Sequence, residues 1–489
     1  MSAPGNITFH QKPVNTADNV PVITNWNPLI GYMLYQDNIA GLFHFSLILE
    51  VYKGTGVVAA NLLAKIKQRR NGYADDNNGA TQRARAFFDL RDVVNSQLVD
   101  TVFDQNQTGI PFETIHKLGV NVAAKPFSLN GNNETSETQI IEIYVRGYQQ
   151  YADSVTEIPS EDTTPNVVDT LYYMAASLPL MTDRDTDDDY IQGTAFNKYN
   201  AANASDLFLS DVESSSGEYT ISGNINYVQD ADYHTVAFLN DYSNFASDLD
   251  KIVVQYYDSS GSTIGSAEVF NNLNTNGGSK PDTETNTDAE RLIYFGCGPG
   301  NLEGQSLNTD ARPSNNAGWA YYTVQGWDGG TSNARTQVYY FIKQDTSCKG
   351  FKVRRLAWRN SLGCYDYFNF KKKSTQRVEV KRNNYESLMG EFNNEYWYYN
   401  NTMRGKKTRQ VTAVLKETLN TDWITEQDAN LLEKLIMSTD VYIVENADTT
   451  YTEPVMITDT SFVKKTVAND KLIQYTIQIE YANPINTNS

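Results

Sequence analysis

The sequence predicts a mainly β protein made of several β-sandwich-like domains, with a few short helices and a C-terminal α+β element. Segments of alternating apolar and polar residues, short polar turns between them, and 32 tyrosines among 489 residues support this prediction. Alternation with a period of two places every second side chain on one face of a strand, and Tyr favours strands. A chain of this length predicts about three domains of roughly 150 residues each.

The first predicted domain covers residues 1–200. Strands are predicted over residues 42–52, 83–90 and 138–148. In the first of these strands every second residue is apolar, which predicts one shared face for Phe43, Phe45, Leu47, Leu49 and Val51. A short helix is predicted within 89–99, and the apolar segment 167–181 is predicted to be helical or irregular. An acidic run over 182–189 then indicates a linker.

The second predicted domain covers residues 201–345 and is expected to be a β-sandwich. Segments 248–257 and 263–270 flank the turn Asp258-Ser259-Ser260-Gly261-Ser262, which is a hairpin signal. Residues 271–288 are polar and without periodicity, so they predict a long surface loop. Two further alternating segments rich in aromatics, 318–326 and 338–343, add strands to this domain.

The third predicted domain covers residues 346–489 and combines strands with one helix at about 425–438. Thr425 precedes Asp428 by three residues, which resembles a capping box. An apolar stripe of Leu431, Leu432, Leu435 and Ile436 predicts that this helix faces a core. The clearest alternation in the chain, over 472–481, predicts a half-buried strand near its end.

The charge of the chain is strongly uneven. Its formal net charge is −19, which argues against nucleic-acid binding because attraction to phosphate requires clustered Lys and Arg. Residues 349–409, however, contain 15 Lys and Arg against 5 Asp and Glu. Such asymmetry can turn a basic face of one subunit toward an acidic face of its neighbour. The alternative is an ordinary sheet with a solvated Lys face.

The sequence carries three cysteines and no Cys-x-x-Cys spacing, so it predicts neither a disulfide framework nor a zinc site. These cysteines, which suit a reducing cytoplasm, are Cys297, Cys348 and Cys364. The N-terminal residues lack the basic start and apolar run of a signal peptide. No run of about 18 apolar residues occurs, so we expect no signal peptide and no membrane-spanning segment.

No group of residues in the sequence predicts catalysis. The four histidines share no ligand-like spacing; they are His10, His44, His116 and His234. Residues 296–300 have the composition of a phosphate-binding loop, but Pro299 lacks an amide hydrogen and no Lys-Ser/Thr follows, so a tight turn is predicted. Acidic residues are plentiful, yet nothing marks a pair for glycoside hydrolysis. We therefore predict no enzyme and no cofactor.

A weak calcium candidate lies in the acidic run. Its residues match alternate positions of an EF-hand loop, and they are Asp183, Asp185, Asp187 and Asp189. Asp188 stands where the loop needs Gly for its sharp turn, and Thr194 stands where it needs a bidentate Glu. We therefore expect a solvated acidic loop and no bound metal.

A motif near the C-terminal end of the chain covers residues 355–370, RLAWRNSLGCYDYFNF, and a basic K-K-S stretch follows at Lys372-Lys373-Ser374. This motif resembles the pattern W-x-N-x-L-G-G-x-D-x-F-x-F of virion structural proteins of tailed bacteriophages. Cys364 departs from the pattern at its second Gly. The helix after Asp422-Trp423-Ile424 and the ending Glu480-Tyr481-Ala482-Asn483 are similar as well. The resemblance covers residues from about 350 to 485. It is loose over residues 1–150 and poor over the middle region.

The resemblance implies a structural subunit of the virion, in the tail, baseplate or neck, that is assembled in the host cytoplasm. We expect it to form a ring of copies of itself and to contact other virion proteins. The expected contact residues are an aromatic cluster and a basic stretch, namely Tyr396, Trp397, Tyr398, Tyr399, Arg354, Arg355, Lys371, Lys372 and Lys373. Two alternatives stay open. One is a carbohydrate-binding adhesin at the tail tip, in which Trp and Tyr, Trp327 among them, stack on glycans; the other is a hydrolase.

Overall fold

A computed structural model gives the fold over most of the chain. It describes residues 7–11, 23–24, 30–35, 39, 41–54, 56–69, 71–74, 82–97, 116, 140–174, 207–212, 214–216, 222–239, 251–270, 292–304, 309–327, 333–344, 350–444, 452–459, 473–483 and 485–488. The weak calcium candidate, the predicted loop 271–288 and the cysteine Cys348 lie outside these residues.

The N-terminal region forms two sheets that share one core. Its elements are β1 (Ile7–Gln11), β2 (Ile23–Thr24), β3 (Ile30–Tyr35), β4 (Phe43–Lys53), β5 (Leu62–Arg69), β6 (Asn71–Ala74), β7 (Gln82–Asp89), α1 (Arg91–Asn95), β8 (Ile140–Ala152) and β9 (Ser160–Met174). One sheet has the order β1–β3–β7–β6 and the other β2–β9–β8–β4–β5. Met33 and Phe88 of the first sheet lie in one apolar cluster with Leu47 and Leu49 of the second.

Strand β4 confirms the alternation predicted for 42–52. Phe45, Leu47, Leu49 and Val51 enter the core between the two sheets, whereas Phe43 is exposed at the beginning of the strand. The expectation of helical or irregular structure over 167–181 is wrong for its described part. Residues 160–174 form strand β9, which pairs antiparallel with β8 along almost its whole length.

The middle region contains a six-stranded and a two-stranded sheet. Its elements are β10 (Ser214–Ser216), β11 (Ser222–Val228), β12 (Thr235–Leu239), β13 (Lys251–Tyr257), β14 (Thr263–Phe270), β15 (Leu292–Gly296), α2 (Pro299–Glu303), β16 (Tyr321–Trp327) and β17 (Tyr339–Lys343). The larger sheet has the order β10–β11–β17–β16–β13–β14, and β12 pairs with β15. Phe238 and Phe295 of the small sheet share a core with Tyr256 and Tyr322 of the large one. The predicted hairpin is confirmed as β13–β14.

The C-terminal region is one eight-stranded sheet with a helix on its apolar face. Its elements are β18 (Arg354–Arg359), β19 (Tyr365–Phe370), β20 (Thr375–Glu386), β21 (Glu391–Phe392), β22 (Trp397–Tyr398), β23 (Lys406–Asn420), α3 (Glu426–Met437), β24 (Val441–Val444), β25 (Thr452–Ile457), β26 (Thr476–Tyr481) and β27 (Asn486–Asn488). The order is β19–β18–β24–β25–β26–β23–β20, with β27 pairing β23. The small β21–β22 ribbon lies between β20 and β23 in sequence.

Helix α3 is predicted well by the sequence. Thr425 accepts a hydrogen bond from the Asp428 amide, and the Asp428 carboxylate accepts one from the Thr425 amide, which completes the capping box. Leu431, Leu432 and Leu435 pack into the core of the C-terminal sheet. This core also receives alternate residues from the last long strand, so the pattern that predicts that strand is confirmed.

The fold is mainly β, with sandwich-like layers and three short α-helices among the described residues, as the sequence predicts. Each sheet lies within one of the ranges 1–200, 201–345 and 346–489. The division of the chain into three domains at these boundaries stays a prediction. Within the described part of the chain, no helix is long and apolar enough to cross a bilayer.

Candidate functional site

A buried polar junction connects the middle region to the C-terminal sheet. Strand pairing places Arg355 directly opposite Asn369, and both side chains leave the face of the sheet that is opposite to α3. The Arg355 guanidinium lies 3.2 Å from the Asp232 carboxylate and donates to the Tyr233 carbonyl at 2.9 Å. Asn369 donates to the same Asp232 oxygen at 2.6 Å. The charge of Asp232 is therefore balanced inside the molecule.

His234 belongs to the same junction. One guanidinium nitrogen of Arg355 lies 3.0 Å from Nδ1 of His234, which accepts the hydrogen bond as a neutral ring. Burial and the nearby Arg355 charge hold the pKa of His234 well below its ordinary value. A neutral, fully buried imidazole with its acceptor occupied in this way is a structural group and not a general base.

Tyr367 extends the junction to two further segments. Its hydroxyl lies 2.7 Å from the Thr235 hydroxyl and 2.7 Å from Nδ1 of His116. The turn at 296–300, predicted as a tight turn, passes beside these residues and starts helix α2. A Cβ atom on Gly298 would collide with the backbone of Asp232 and His234, so glycine allows the turn to approach the junction closely.

The turn between β18 and β19 makes a second polar contact with the middle region. Asn360 donates to the Leu209 carbonyl at 3.0 Å, and its side-chain oxygen accepts from the amides of Leu362 and Cys364. Asp366 accepts from the Ser210 hydroxyl at 2.6 Å and from a backbone amide at 2.8 Å. The motif that resembles phage proteins thus supplies buried structural contacts.

Two of the expected contact residues are buried. Arg354 pairs with Glu417 at 2.9 Å, and the Tyr481 hydroxyl donates to the same carboxylate at 2.7 Å. Arg355 lies in the polar junction. Both side chains are enclosed by the chain itself, which corrects the expectation that they lie on a contact surface. Lys371 and Lys372 are partly exposed, whereas the strand before them is largely covered on both faces.

The remaining expected contact residues are partly or fully exposed. Lys372 forms an ion pair with Asp422 at 3.1 Å, and Lys373 is exposed. Tyr396 and Trp397 are exposed, as is Tyr399 with 68% of its surface accessible, whereas Tyr398 is partly covered. These four aromatic residues lie in or beside the short strand β22. Their role as contact residues stays a prediction.

Strands β20 and β23 form a long arm, which we define as residues 375–420. The strands pair in register from Thr375 with Thr418 to Glu386 with Lys406. On its other side β23 pairs with β26 and β27, whose contacts end at Val411. Beyond that point the arm is a two-stranded ribbon that carries the aromatic cluster at its tip. An isolated two-stranded ribbon is marginally stable in water, so such an arm needs a covering surface.

Among the described residues, a cluster of carboxylates and a lysine on the N-terminal region comes nearest to a catalytic arrangement. The Tyr148 hydroxyl lies 2.8 Å from Glu50 and 3.0 Å from Glu161, and Lys65 lies 2.8 Å from Glu161. Burial raises the pKa of Glu50, but hydrogen bonds from tyrosines and Lys65 outweigh it and lower the pKa. The hydrogen bond from Lys65 lowers the pKa of Glu161. With both carboxyl groups ionised, neither is a proton donor at neutral pH.

The two cysteines of the described residues are buried. Cys297 and Cys364 are enclosed, and burial raises the pKa of Cys364 to about 12, so its thiol stays protonated. The described residues contain no group of three His, Cys, Asp or Glu side chains placed to hold a metal ion. His44, a strand residue in the sequence, is exposed and donates from Nε2 to the Val155 carbonyl at 3.0 Å.

Comparison with known proteins gives no family. No protein-family model matches the chain, and the comparison with curated proteins finds no match either.

Sequence reasoning missed the partners of the polar junction. Asp232 and His234 are separated from Arg355 by more than a hundred residues, so no local pattern indicates their contact. One available signal was that Asp366 and Asn369 interrupt an aromatic strand, where buried polar groups require partners.

Proposed function

We propose that the chain is a non-enzymatic structural subunit of a tailed-bacteriophage virion, placed in the tail, baseplate or neck, that assembles with copies of itself and other virion proteins. The exposed arm is the observation that carries this proposal. It presents apolar, aromatic and basic side chains on a ribbon that the described part of the chain does not cover. Exposed apolar surface of this kind marks interaction sites.

The resemblance to phage proteins supports the same proposal. Its motif residues make the polar junction and the turn at Asn360, which are structural roles. A motif of this kind preserves the shape of a subunit and brings no reactive group to the surface. The balanced carboxylate cluster and the buried thiols support a subunit without catalysis.

The test is detection of the chain in purified particles. An antibody raised against the recombinant chain is expected to label intact virions at a constant position in electron micrographs, and mass spectrometry of the same particles should detect its peptides. The control is an antibody against a non-virion protein of the infected cell. Finding the chain in the lysate but not in particles would contradict the proposal.

A second candidate function, glycan binding at the tail tip, is favoured by the tip of the arm. Trp397 and Tyr399 are exposed there next to Asn400 and Asn401, and aromatic faces with amide groups suit sugars. Trp327 fits this role less well because its indole nitrogen is buried. Binding of the purified chain to a glycan array, with loss in Trp397→Ala and retention in Trp327→Phe, would favour this function.

A further inference from the structure

The apolar face of the arm continues the core of the C-terminal sheet. Leu415 packs against that core, and strand pairing places Val378 opposite Leu415 and Val380 opposite Ala413 on the same face. Helix α3 covers the core but not this extension, so Val378 is 54% exposed. This apolar face is therefore an extension of the core that no other described element covers.

The outer edge of the arm is open as well. Strand β20 ends the sheet order, so its outer backbone groups have no neighbouring strand among the described residues. Its twelve residues span roughly 35–40 Å at the usual rise of a strand. Natural proteins cover or charge long edges, because free edges pair with other chains.

The two long strands of the arm are basic. Together β20 and β23 carry seven Lys and Arg against three Glu. Two of these Glu residues are already paired, Glu379 with Lys416 and Glu417 with Arg354. Four of the basic residues form no ion pair with a carboxylate of the described residues, namely Lys381, Arg382, Lys406 and Lys407. An arm with this charge repels another arm and attracts an acidic surface.

An acidic surface with matching apolar residues lies on the N-terminal region. The turn between β8 and β9 and the strand ends beside it, residues 151–162, form what we call the acidic hairpin. It contains four Asp and Glu but no Lys or Arg, and one of the four, Glu161, is paired with Lys65 of β5. Ile158 is 87% exposed and Val155 64% exposed beside Asp153 and Glu157. The hydrogen bond from His44 to the Val155 carbonyl fixes this turn on the sheet.

We infer that the basic arm of one copy docks on the acidic hairpin of a second copy of the chain. This inference rests on the proposed function, because it names the partner of the arm on which that function depends. Arm and hairpin are complementary in charge, and each exposes apolar side chains that the contact would cover. Nucleic acid suits the arm less well, because exposed apolar side chains and the acidic Glu391 and Glu395 at its tip do not favour phosphate.

The arrangement of such a contact is head to tail. The arm and the hairpin are different surfaces, so each copy contacts one neighbour through its arm and another through its hairpin. Contacts of this kind are heterologous and close into rings when the rotation between copies permits. Like charge on the arms disfavours the symmetric alternative, in which two arms pair with each other.

The test is a charge exchange in the full-length chain. One variant reverses two charges of the arm (Lys381→Glu with Arg382→Glu), and the other reverses two charges of the hairpin (Asp153→Lys with Glu157→Lys), so that each altered surface becomes neutral. Each alone is expected to weaken self-association by at least about tenfold in sedimentation velocity, because the substituted residues then face like charges in the contact. An equimolar mixture of the two should co-assemble, because the hairpin variant keeps the basic arm and the arm variant keeps the acidic hairpin. Lys53→Glu, at the far end of β4, is the matched control and should associate like the wild-type chain.

Several outcomes would overturn the inference. They are a wild-type chain that stays monomeric, variants that associate like the wild type, a mixture that stays dissociated, and association that nuclease abolishes. Circular-dichroism melting of each variant separates loss of contact from loss of fold. Detection of the chain in virions together with failure of the mixture would refute this contact and leave the proposed function standing.

Discussion

At the scale of single residues, the buried carboxyl of Asp366 has a protonation state that its neighbours set. Burial and the adjacent Asp211 carboxylate raise the pKa of Asp366 to about 7, from an ordinary value of 3.8. Between these two values the folded chain holds a proton that the unfolded chain releases. Raising the pH through this window therefore removes stability, and lowering it restores stability.

We predict that the melting temperature of the wild-type chain falls as the pH rises from about 4 to about 7, and that Asp366→Asn flattens this part of the profile. Thermal unfolding followed by circular dichroism across this range measures the effect. Asp310→Asn, at an exposed carboxyl, is the control and should keep the wild-type slope. An unchanged slope in Asp366→Asn would show that another group causes the pH dependence.

At the scale of elements, helix α3 depends on its first residue. Thr425 satisfies an amide that the helix itself leaves without a partner, and Asp428 returns the bond. Removing the Thr425 hydroxyl leaves the Asp428 amide without this hydrogen bond, at the start of the helix that covers the core of the sheet.

Thr425→Ala is expected to lower the free energy of unfolding by about 1 kcal/mol, whereas Thr425→Ser should leave it nearly unchanged because Ser also caps helices. Urea unfolding monitored by circular dichroism compares the two variants. Equal destabilisation by Ala and Ser would mean that packing of the threonine methyl group, and not the cap, stabilises the helix start.

Element prediction from the sequence succeeds where one face alone is buried. Ile477, Ile479 and Tyr481 alternate with polar residues because one face of β26 meets the core, and alternation is the signal that sequence shows best. Strand β9 was not predicted, because its sequence lacks this alternation. Its apolar residues around Val167 and Leu171 form a short run without clear alternation, and pairing with β8 decides its structure.

At the scale of the whole molecule, the polar junction ties the middle region to the C-terminal sheet. Arg355 and Asp232 are both buried, and each satisfies the charge of the other. Removing one member leaves an uncompensated charge inside the protein, whereas replacing both by apolar residues removes the charge problem.

Arg355→Met is therefore expected to destabilise the fold by about 3–5 kcal/mol, and Arg355→Met with Asp232→Leu by clearly less. Lys372→Met, which breaks the more exposed pair with Asp422, should cost below about 1 kcal/mol. Differential scanning calorimetry of the four chains gives the comparison. A double variant as unstable as Arg355→Met would show that hydrogen bonding, and not charge balance, dominates the junction.

The sequence predicted the aromatic cluster and the two arginines alike as contact residues, but the structure exposes most of the cluster and buries Arg354 and Arg355. Tyr396 and Trp397 are exposed because they lie on a two-stranded tip that no other described element covers. The burial of the arginines depends on Glu417 and Asp232, which lie far along the chain. A contact between distant residues leaves no local pattern, so structure was needed to find it.

The polar junction also has a consequence for synthesis on the ribosome. Asp232 and His234 emerge more than a hundred residues before Arg355. Until that arginine leaves the exit tunnel, a nascent middle region carries an unbalanced aspartate on the surface that the C-terminal sheet will cover. Translation must therefore pass residue 355 before the middle region reaches its final stability, and a stalled or prematurely terminated polypeptide becomes a substrate for chaperones and proteases.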